Sequence, residues 1–300
     1  MEGVYGTPPA ELAAAAPVAL QTSPLIVDSE ALEALEGGSL SRFVVGAPPG
    51  TLERRYVLAQ ALRALAPGGE LIALAPKDRG GSRLRKELEA FGCEARETAR
   101  RHHRICRCAR PTDAPGLQAA IAEGGPQIAP ALGLWSQPGV FSWDRLDPGS
   151  ALLLDHLSDL TGRGADLGCG VGVLASTALE SGAVTEMTLV DLDRRAVEAA
   201  RRNVTDPRAR FLRHDLRRPP TGLEGLDFVI MNPPFHAGGA EDRGLSAAFV
   251  AAANQVLRKG GTCRLVANVA LPYEALMGPM FAKVTLAARA GGYKILEGRK

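Results

Sequence analysis

Short apolar runs alternate with stretches of helical periodicity along most of this chain, and the pattern is clearest in its second half. The apolar runs predict strands at residues 165–167, 187–191, 210–212, 227–231, 263–268, 283–288 and 293–296. The periodic stretches predict helices at residues 173–180, 194–203 and 245–257, the last ending at a Lys-Gly-Gly signal. This alternation predicts an α/β fold with a seven-stranded, mostly parallel sheet that a hairpin of the last two strands closes.

The first part of the chain repeats features of the second. Residues 25–28 (LIVD) resemble residues 188–191 (TLVD), and residues 43–49 (FVVGAPP) resemble residues 228–234 (FVIMNPP). We interpret the chain as two tandem Rossmann-like α/β domains joined by a linker with partial structure that is rich in proline and glycine. The expected bounds are residues 1–110, 111–150 and 151–300.

The two copies differ where chemistry is expected. Ala47 stands in the first copy where Asn232 stands in the second, and the first copy has no Asp-x-Gly-x-Gly-x-Gly segment. The first copy therefore lacks both a catalytic amide and a cofactor turn. We expect it to act as a scaffold or as an RNA-docking domain.

A glycine-rich turn follows the first predicted strand of the second copy, where residues 166–172 read DLGCGVG. Gly168, Gly170 and Gly172 permit positive φ angles and the close approach of a ligand to the backbone. Asp191, at the end of the next strand, is placed to accept both hydroxyl groups of a ribose. The order of strand, turn, helix, strand and acid favours a nucleoside-bearing cofactor over a turn that only packs a strand against a helix.

Spacing distinguishes between two such cofactors. The dinucleotide fingerprint needs a glycine three residues after Gly170, where this chain has Val173. Asp166 would repel a pyrophosphate but could bind the ammonium group of a methionine moiety. S-adenosylmethionine therefore fits better than NAD. Asp215, which ends the next apolar run, is a candidate acceptor for the adenine amino group, and a solvated loop acid is the alternative.

The turn Asn232-Pro233-Pro234-Phe235 follows the predicted strand at 227–231. An exocyclic amine on a purine is a poor nucleophile because its lone pair is delocalised into the ring. The Asn232 side-chain oxygen and the Pro233 carbonyl can each accept one N–H, which aims the lone pair at a methyl donor. Pro234 and Phe235 are placed to contact the base, Phe235 by stacking. The turn predicts methyl transfer to nitrogen, and a Pro-Pro loop that only ends a strand is the alternative.

Composition suggests a partner and excludes several classes. The net charge is only +2, but basic residues concentrate at residues 77–110 and 201–218, which favours a polyanionic partner such as RNA. No apolar run approaches the roughly 20 residues of a membrane helix. Five cysteines do not form a disulfide framework, and the histidines and cysteines at 102–108 fit no zinc signature. We expect a cytoplasmic protein with no membrane partner and no metal.

Together these segments resemble the bacterial small-subunit (16S) ribosomal RNA guanine-N2 methyltransferases. That family is class I and S-adenosylmethionine-dependent, with two tandem methyltransferase-like domains of which the first is degenerate. The segments that carry the resemblance are residues 138–142 (PGVFS), 146–150 (LDPGS), 166–172 (DLGCGVG), 232–236 (NPPFH) and 266–274 (VANVALPYE).

The resemblance implies a catalytic role for Asn232, a stacking role for Phe235, and cofactor contacts from Asp191 and the glycine turn. It implies that residues 146–150 cover the cofactor from its other side. It also implies ribosomal RNA or the small ribosomal subunit as the partner. The first copy is short of one strand and one helix relative to that family.

Three alternatives remain open. The Asn-Pro-Pro-aromatic turn is shared with adenine-N6 nucleic-acid methyltransferases and with glutamine-N5 protein methyltransferases. A non-catalytic ribosome-assembly factor could keep the fold and bind RNA, although such a factor has no need of an intact Asn232 turn. We expect a monomer in each case.

Overall fold

The computed structural model describes residues 1–234, 236–237, 240–241 and 243–300, and the side chains of 235–243 are outside this description. The chain divides into two compact units. The first contains Met1–Pro126 with Gln137–Gly139, and the second contains Gln127–Ser136 with Val140–Lys300. The segment 111–150, for which the sequence predicts a linker, is divided between the two units.

The first unit is built on a six-stranded sheet. Its strands are β1 (Glu2–Tyr5), β2 (Leu20–Thr22), β3 (Leu40–Gly46), β4 (Leu65–Pro76), β5 (Arg96–Arg100) and β6 (His103–Ala109). They lie in the order β2-β1-β3-β4-β6-β5. The first four strands are parallel, whereas β6 is antiparallel to both β4 and β5. Phe43, Val44 and Val45 are consecutive and fully buried in β3, as expected of a parallel strand covered on both faces.

Three α-helices pack in the first unit: α1 (Thr51–Ala64), α2 (Leu84–Ala90) and α3 (Leu117–Gly124). Helix α1 lies in the core, where Val57, Leu58 and Leu62 are almost fully buried. Helix α3 packs closely on α1, since a Cβ on Gly124 would lie 2.4 Å from Cβ of Tyr56.

The resemblance of residues 25–28 to residues 188–191, which lie in a strand, does not extend to their structure. The strand beside β1 is β2, and the apolar residues after it form a turn. The Ser29 hydroxyl donates to the carbonyl oxygens of Ser23 and Ile26 at 2.6 and 2.8 Å. These bonds close the turn locally, so the segment cannot pair as a strand.

The second unit is built on a seven-stranded sheet. Its strands are β9 (Gly162–Leu167), β10 (Val184–Asp191), β11 (Ala209–Arg213), β12 (Leu226–Met231), β15 (Leu257–Asn268), β16 (Lys283–Ala290) and β17 (Tyr293–Arg299). Two short hairpins lie outside this sheet: β7 (Gln127–Ala129) pairs with β8 (Leu134–Ser136), and β13 (His236–Ala237) pairs with β14 (Ala240–Glu241). The order is β11-β10-β9-β12-β15-β17-β16. Five strands are parallel, and β17 is antiparallel to β15 and β16. The predicted sheet and closing hairpin are confirmed.

The helices of the second unit are α4 (Pro148–Leu154), α5 (Val173–Leu179), α6 (Arg194–Asn203), α7 (Arg243–Val256) and α8 (Tyr273–Met277). Helix α6 has the predicted bounds, with Asp193 accepting a backbone hydrogen bond as its N-cap. Helix α7 ends at Val256, ahead of the predicted Lys-Gly-Gly signal. Strand β15 begins at the next residue because Leu257 pairs with Leu226 of β12.

The two sheets share one topology. The order β2-β1-β3-β4-β6-β5 of the first unit corresponds to β10-β9-β12-β15-β17-β16 of the second, and β11 has no counterpart. Strands β3 and β12 each end immediately before a Pro-Pro turn. This correspondence supports the tandem, partly degenerate repeat of Rossmann-like α/β domains inferred from the sequence.

One close approach fixes the centre of the second sheet. Gly164 of β9 pairs with Phe228 of β12, and a Cβ on Gly164 would lie 2.1 Å from the Phe228 ring. The aromatic ring therefore occupies the space that any larger residue would need.

We expect Gly164→Ala to reduce the free energy of unfolding by about 1–3 kcal/mol or more, because the new methyl group overlaps the buried Phe228 ring. Urea unfolding measures the change. Gly182→Ala is the matched variant, since a Cβ there would meet no atom within 4 Å, and it should stay within about 0.5 kcal/mol of wild type. Equal stability of the two variants would contradict the close packing of β9 against β12.

Candidate active site

The glycine turn follows the end of β9, and its three glycines adopt left-handed backbone conformations. Gly168, Gly170 and Gly172 have φ angles of 78°, 53° and 90°, values that other residues rarely adopt. A Cβ on Gly172 would lie 2.9 Å from Val204, whereas a Cβ on Gly170 would meet no atom within 4 Å. The turn is therefore closed against the protein at Gly172 and open at Gly170, where a ligand could approach the backbone.

Asp191, at the end of β10, holds this turn in place. Its Oδ2 accepts the Gly170 N–H at 2.9 Å, and its Oδ1 accepts the Asp193 N–H at 2.9 Å. Burial raises the pKa of Asp191 to about 6, although these two N–H groups act to lower it. The carboxylate that the sequence assigns to a ribose thus also determines the shape of the glycine turn.

Asp166 lies directly before the turn and is fully buried. Neither of its carboxylate oxygens has a hydrogen-bond partner among the described residues. Burial, and then the neighbouring Asp191, raise the pKa of Asp166 to about 8. A buried acid whose oxygens have no hydrogen-bond partner is costly to the fold, which makes Asp166 a candidate for contact with a ligand.

Asn232 follows β12, and two acceptors fix its side chain. Its Nδ2 donates to Oδ2 of Asp147 at 2.8 Å and to Oγ of Ser150 at 2.9 Å. Both hydrogens of the amide nitrogen are used in these bonds. The remaining polar atom of the side chain, Oδ1, can only accept a hydrogen bond.

One cleft connects the open part of the glycine turn with Asn232. Its wall contains Gly168, Cys169 and Gly170 of the glycine turn together with Asn232, Asp147 and Ser150. The other lining residues are Leu132, Phe141, Ser142, Arg145, Leu146, Val171, Val173 and Leu174. The candidate cofactor turn and the candidate catalytic amide therefore open onto the same cleft.

The hairpin of β7 and β8 forms part of the cleft, and Asn203 fastens it. Oδ1 of Asn203 accepts the Trp135 N–H at 2.8 Å, while its Nδ2 donates to the carbonyls of Trp135 and Val171, each at 2.9 Å. The Arg202 guanidinium lies 4.5 Å from the centre of the Trp135 ring. These contacts join the hairpin to the glycine turn and place Leu132 at the cleft.

Six of the site residues predicted from the sequence do not line this cleft: Asp166, Gly172, Asp191, Asp215, Pro233 and Pro234. Asp215 accepts the Arg217 N–H at 3.0 Å and pairs with the Arg217 guanidinium. Pro233 is buried and Pro234 is exposed, and neither side chain is part of the cleft wall. Phe235 lies outside the described residues. The roles of all the site residues predicted from the sequence stay predictions.

Sequence reasoning gave no individual role to four residues of this site. Asp147, Ser150 and Asn203 act through bonds to residues far away in the chain, which local patterns do not reveal. Phe141 lines the cleft with 65% of its side-chain surface exposed. An exposed phenylalanine beside a cleft was the available signal for it, but exposure becomes visible only in the structure.

The corresponding turn of the first unit is built differently. Ala47 offers no amide, and the buried Arg54 donates from Nη1 to the carbonyls of Pro48 and Pro49 at 3.3 and 2.7 Å. Glu87 holds the same guanidinium with two further bonds, of 2.7 and 2.6 Å. The carbonyl that corresponds to that of Pro233 already has a donor within the unit.

Within the described ranges, no group of three or more His, Cys, Asp or Glu side chains is arranged to hold a metal ion. Cys106 and Cys108 are buried on β6, the strand that the alternation at 104–108 predicts. None of the helices in the described part of the chain has the length and apolar character to cross a membrane.

The fold and the cleft define a methyltransferase, and a model of the methyltransferase small domain family matches residues 131–297. Ribosomal RNA small subunit methyltransferase C of Pseudomonas entomophila is 33% identical over 271 residues, covering 82% of this chain and 76% of that protein. The protein of the same name from Pseudomonas paraeruginosa is 34% identical over 271 residues, covering 88% and 80%. This chain belongs to the ribosomal RNA small subunit methyltransferase C family.

A solved structure agrees with this assignment over the whole chain. It is a 16S rRNA N2 guanine methyltransferase from T. thermophilus in complex with AdoMet and guanosine. The TM-score is 0.82 at 26% sequence identity, and the match covers 100% of this chain and 88% of that one.

We expect the buried Asp166 to make the free energy of unfolding fall as the pH rises from about 4 to about 8. The folded chain keeps the Asp166 proton up to a pKa of about 8, whereas the unfolded chain loses it near 4. This contribution is fully present below the unfolded pKa and is lost as the pH passes the folded pKa. Its slope is on the order of 1 kcal/mol per pH unit.

Asp166→Asn should remove this slope between about pH 6 and 8, as measured by urea unfolding at a series of pH values, because the pKa of Asp191 is about 6 and its own contribution falls below that range. Asp155→Asn changes an exposed carboxylate of the same unit and should keep the wild-type slope. An Asp166→Asn variant with the wild-type pH dependence would contradict the assignment.

Proposed function

We propose that this chain is an S-adenosylmethionine-dependent methyltransferase that transfers a methyl group to the exocyclic N2 of a guanine in 16S ribosomal RNA. The observation that carries the proposal is the shared cleft, in which the glycine turn and Asn232 face one space. Membership of the ribosomal RNA small subunit methyltransferase C family supports the substrate class. The T. thermophilus structure, with AdoMet and guanosine bound, supports the cofactor and the base.

The residues of the glycine turn fit this cofactor. Gly168, Gly170 and Gly172 supply a backbone surface that a nucleoside can approach, and Asp191 lies beside it to accept ribose hydroxyls. Asp166 is a buried acid without a partner, which suits the ammonium group of a methionine moiety or a water bound to it. When bound, the cofactor supplies an electrophilic methyl group on a sulfonium. Asp215 is retained as the proposed acceptor for the adenine amino group.

Asn232 acts on the acceptor nitrogen. Its Oδ1 accepts one N–H of the exocyclic amine, and the Pro233 carbonyl accepts the other. These bonds favour a pyramidal nitrogen whose lone pair points at the methyl group. The mechanism needs no charged general base at the nitrogen, because its proton becomes acidic once the methyl group has been transferred.

The base must leave its stack to reach this cleft. Phe141, which is exposed at the cleft wall, offers a surface on which an unstacked base can lie. Pro234 and Phe235 are proposed to contact the same base. Methylation of adenine N6 or of a protein glutamine uses the same amide chemistry, so the experiment below reads the product directly.

The first unit is proposed to dock on RNA through β5 and β6. Arg96 and Arg107 lie directly opposite each other across these strands, and both are exposed. Like charges in this position repel, so a phosphate between them would be stabilising. The turn between the strands places Arg101 and His102 at positive φ angles of 46° and 60°, where glycine or asparagine is more usual. The Arg101 guanidinium pairs with Glu11 at 3.0 Å on an exposed surface, where a phosphate could replace the carboxylate.

We further propose that the enzyme acts as a cytoplasmic monomer. Ribosomal RNA as substrate supports a location where ribosomal subunits assemble. Size-exclusion chromatography with light scattering tests the oligomeric state.

We expect Asn232→Ala to lower kcat for methylation of 16S ribosomal RNA by about 100-fold or more, because the aligned acceptor of the amine is lost. The dissociation constant for S-adenosylmethionine should stay within about twofold of wild type, since Asn232 acts on the other substrate. Transfer of labelled methyl groups measures turnover, calorimetry measures the affinity, and mass mapping of nucleosides identifies the product.

Gln255→Ala changes an exposed amide outside the cleft and should keep wild-type turnover. Full turnover by Asn232→Ala would overturn the mechanism. A methyl group found on adenine or on a protein glutamine would favour the corresponding alternative, and failure of the wild type to bind S-adenosylmethionine would favour a non-catalytic RNA-binding factor.

We expect the triple variant Arg96→Ala, Arg100→Ala, Arg107→Ala to weaken RNA binding and leave kcat unchanged, because these arginines contact phosphates and not the reacting base. Each lost phosphate contact should reduce the slope of log affinity against log salt by about 1. The matched variant Lys283→Ala, Arg289→Ala, Arg299→Ala removes the same charge from exposed positions of the second unit. Equal loss of affinity in both variants would show that only net charge matters.

A further inference from the structure

The side-chain amide of asparagine can present either of two opposite groups to a ligand. A half-turn about its last torsion exchanges the carbonyl oxygen for the NH2 group. Only the oxygen can accept an N–H of an exocyclic amine, whereas the NH2 group would oppose it. A catalytic asparagine therefore needs a second interaction that selects one orientation.

Asp147 supplies that selection. A carboxylate can only accept hydrogen bonds, so the group of Asn232 that lies 2.8 Å from it must be the NH2. The Ser150 hydroxyl, at 2.9 Å, receives the other hydrogen of the same nitrogen. Turning the amide over would bring Oδ1 of Asn232 against the Asp147 carboxylate, and two acceptors in contact repel each other.

Asp147 is itself held firmly. It is the N-cap of α4, and its Oδ2 accepts the Ser150 N–H at 2.8 Å, with Pro148 at the first helical position. A Cβ on Gly149 would lie 2.9 Å from the Tyr293 ring, so the segment packs directly on β17. One oxygen of Asp147 thus joins the start of α4 to the end of β12.

Helix capping alone does not explain this arrangement. An N-cap needs one side-chain acceptor, which serine, threonine or asparagine also provides. Here the capping oxygen accepts a second bond from a residue 85 positions away, and Asp147, Ser150 and Asn232 all line the cleft. The contact between Asp147 and Asn232 therefore lies beside the space in which an acceptor base would bind.

We propose that Asp147 is a positioning residue which, with Ser150, orients the Asn232 amide so that its oxygen faces the acceptor and the site selects a base with an exocyclic amine. This inference rests on the proposed function and specifies how the site recognises its substrate. It predicts that guanosine binds more tightly than inosine, which lacks the N2 amine and leaves Oδ1 of Asn232 without a partner.

Asp147→Asn is the decisive variant. Asparagine is as good an N-cap as aspartate and has nearly the same size, so α4 should be retained. Its amide can offer Asn232 either a donor or an acceptor, so the orientation of Asn232 is no longer fixed. We expect kcat to fall about 10–100-fold, with the KM for S-adenosylmethionine within about twofold and Tm within a few degrees of wild type. Ser150→Ala should lower kcat by about 3–10-fold.

Two readouts separate positioning from a structural role. The ratio of guanosine to inosine affinity, measured by calorimetry without turnover, should fall at least threefold in Asp147→Asn, since a freed amide can turn its oxygen away from inosine. In an Asn232→Ala background, Asp147→Asn should cause no further loss of kcat, because the group that it orients is gone. Asp206→Asn, a carboxylate that caps a turn outside the cleft, should leave both quantities unchanged.

The results of these experiments test the positioning role of Asp147 and the proposed function separately. Wild-type kcat in Asp147→Asn, an unchanged nucleoside ratio, or a loss that persists in the Asn232→Ala background would overturn the positioning role while the proposed function stands. A shifted nucleoside ratio with no methylation of 16S ribosomal RNA by the wild type would overturn the proposed function while the positioning role stands.

Discussion

The site depends on the parallel pairing of β9 with β12. Ile230 lies beside Asp166 in this register, so the loops after the two strands leave the sheet at the same edge and at the same level. The glycine turn and Asn232 are more than sixty residues apart in the chain, yet this register places both on one cleft. Carboxyl ends of adjacent parallel strands commonly form binding crevices in open α/β sheets. The Gly164 to Phe228 contact keeps the two strands aligned ahead of the ends from which these loops leave.

The same edge carries two acids whose surroundings disfavour charge. Asp191 is compensated by backbone N–H groups, and in return it shapes the glycine turn. Neither carboxylate oxygen of Asp166 has a hydrogen-bond partner among the described residues, and the nearby Ala175 N–H offsets only part of the effect of burial on its pKa. A chain selected only for stability would gain by replacing Asp166 with an apolar residue of similar size. The presence of this acid therefore supports the proposed ammonium contact.

Much of the second unit could be predicted because its strands are runs of buried apolar residues and its helices carry local end signals. One error arose from a local contact and another from a residue that is distant in the chain. Residues 25–28 have the apolar pattern of a strand, but Ser29 closes them into a turn. Helix α7 ends early because Leu257 pairs with β12. The sequence around Asp147 shows a helix start, but only the fold reveals Asn232 as its second partner.

Arg54 distinguishes the Pro-Pro turn of the first unit from that of the second. Its guanidinium fills the turn after β3 and is fixed there by Glu87 and by the proline carbonyls. An asparagine at Ala47 would therefore not by itself reproduce the acceptor pair proposed for Asn232 and Pro233, because the Arg54 guanidinium competes for the neighbouring carbonyl. A single substitution in this turn is not enough to give the first unit that chemistry. The outer surface of the first unit can then change without altering the residues that the reaction in the second unit needs.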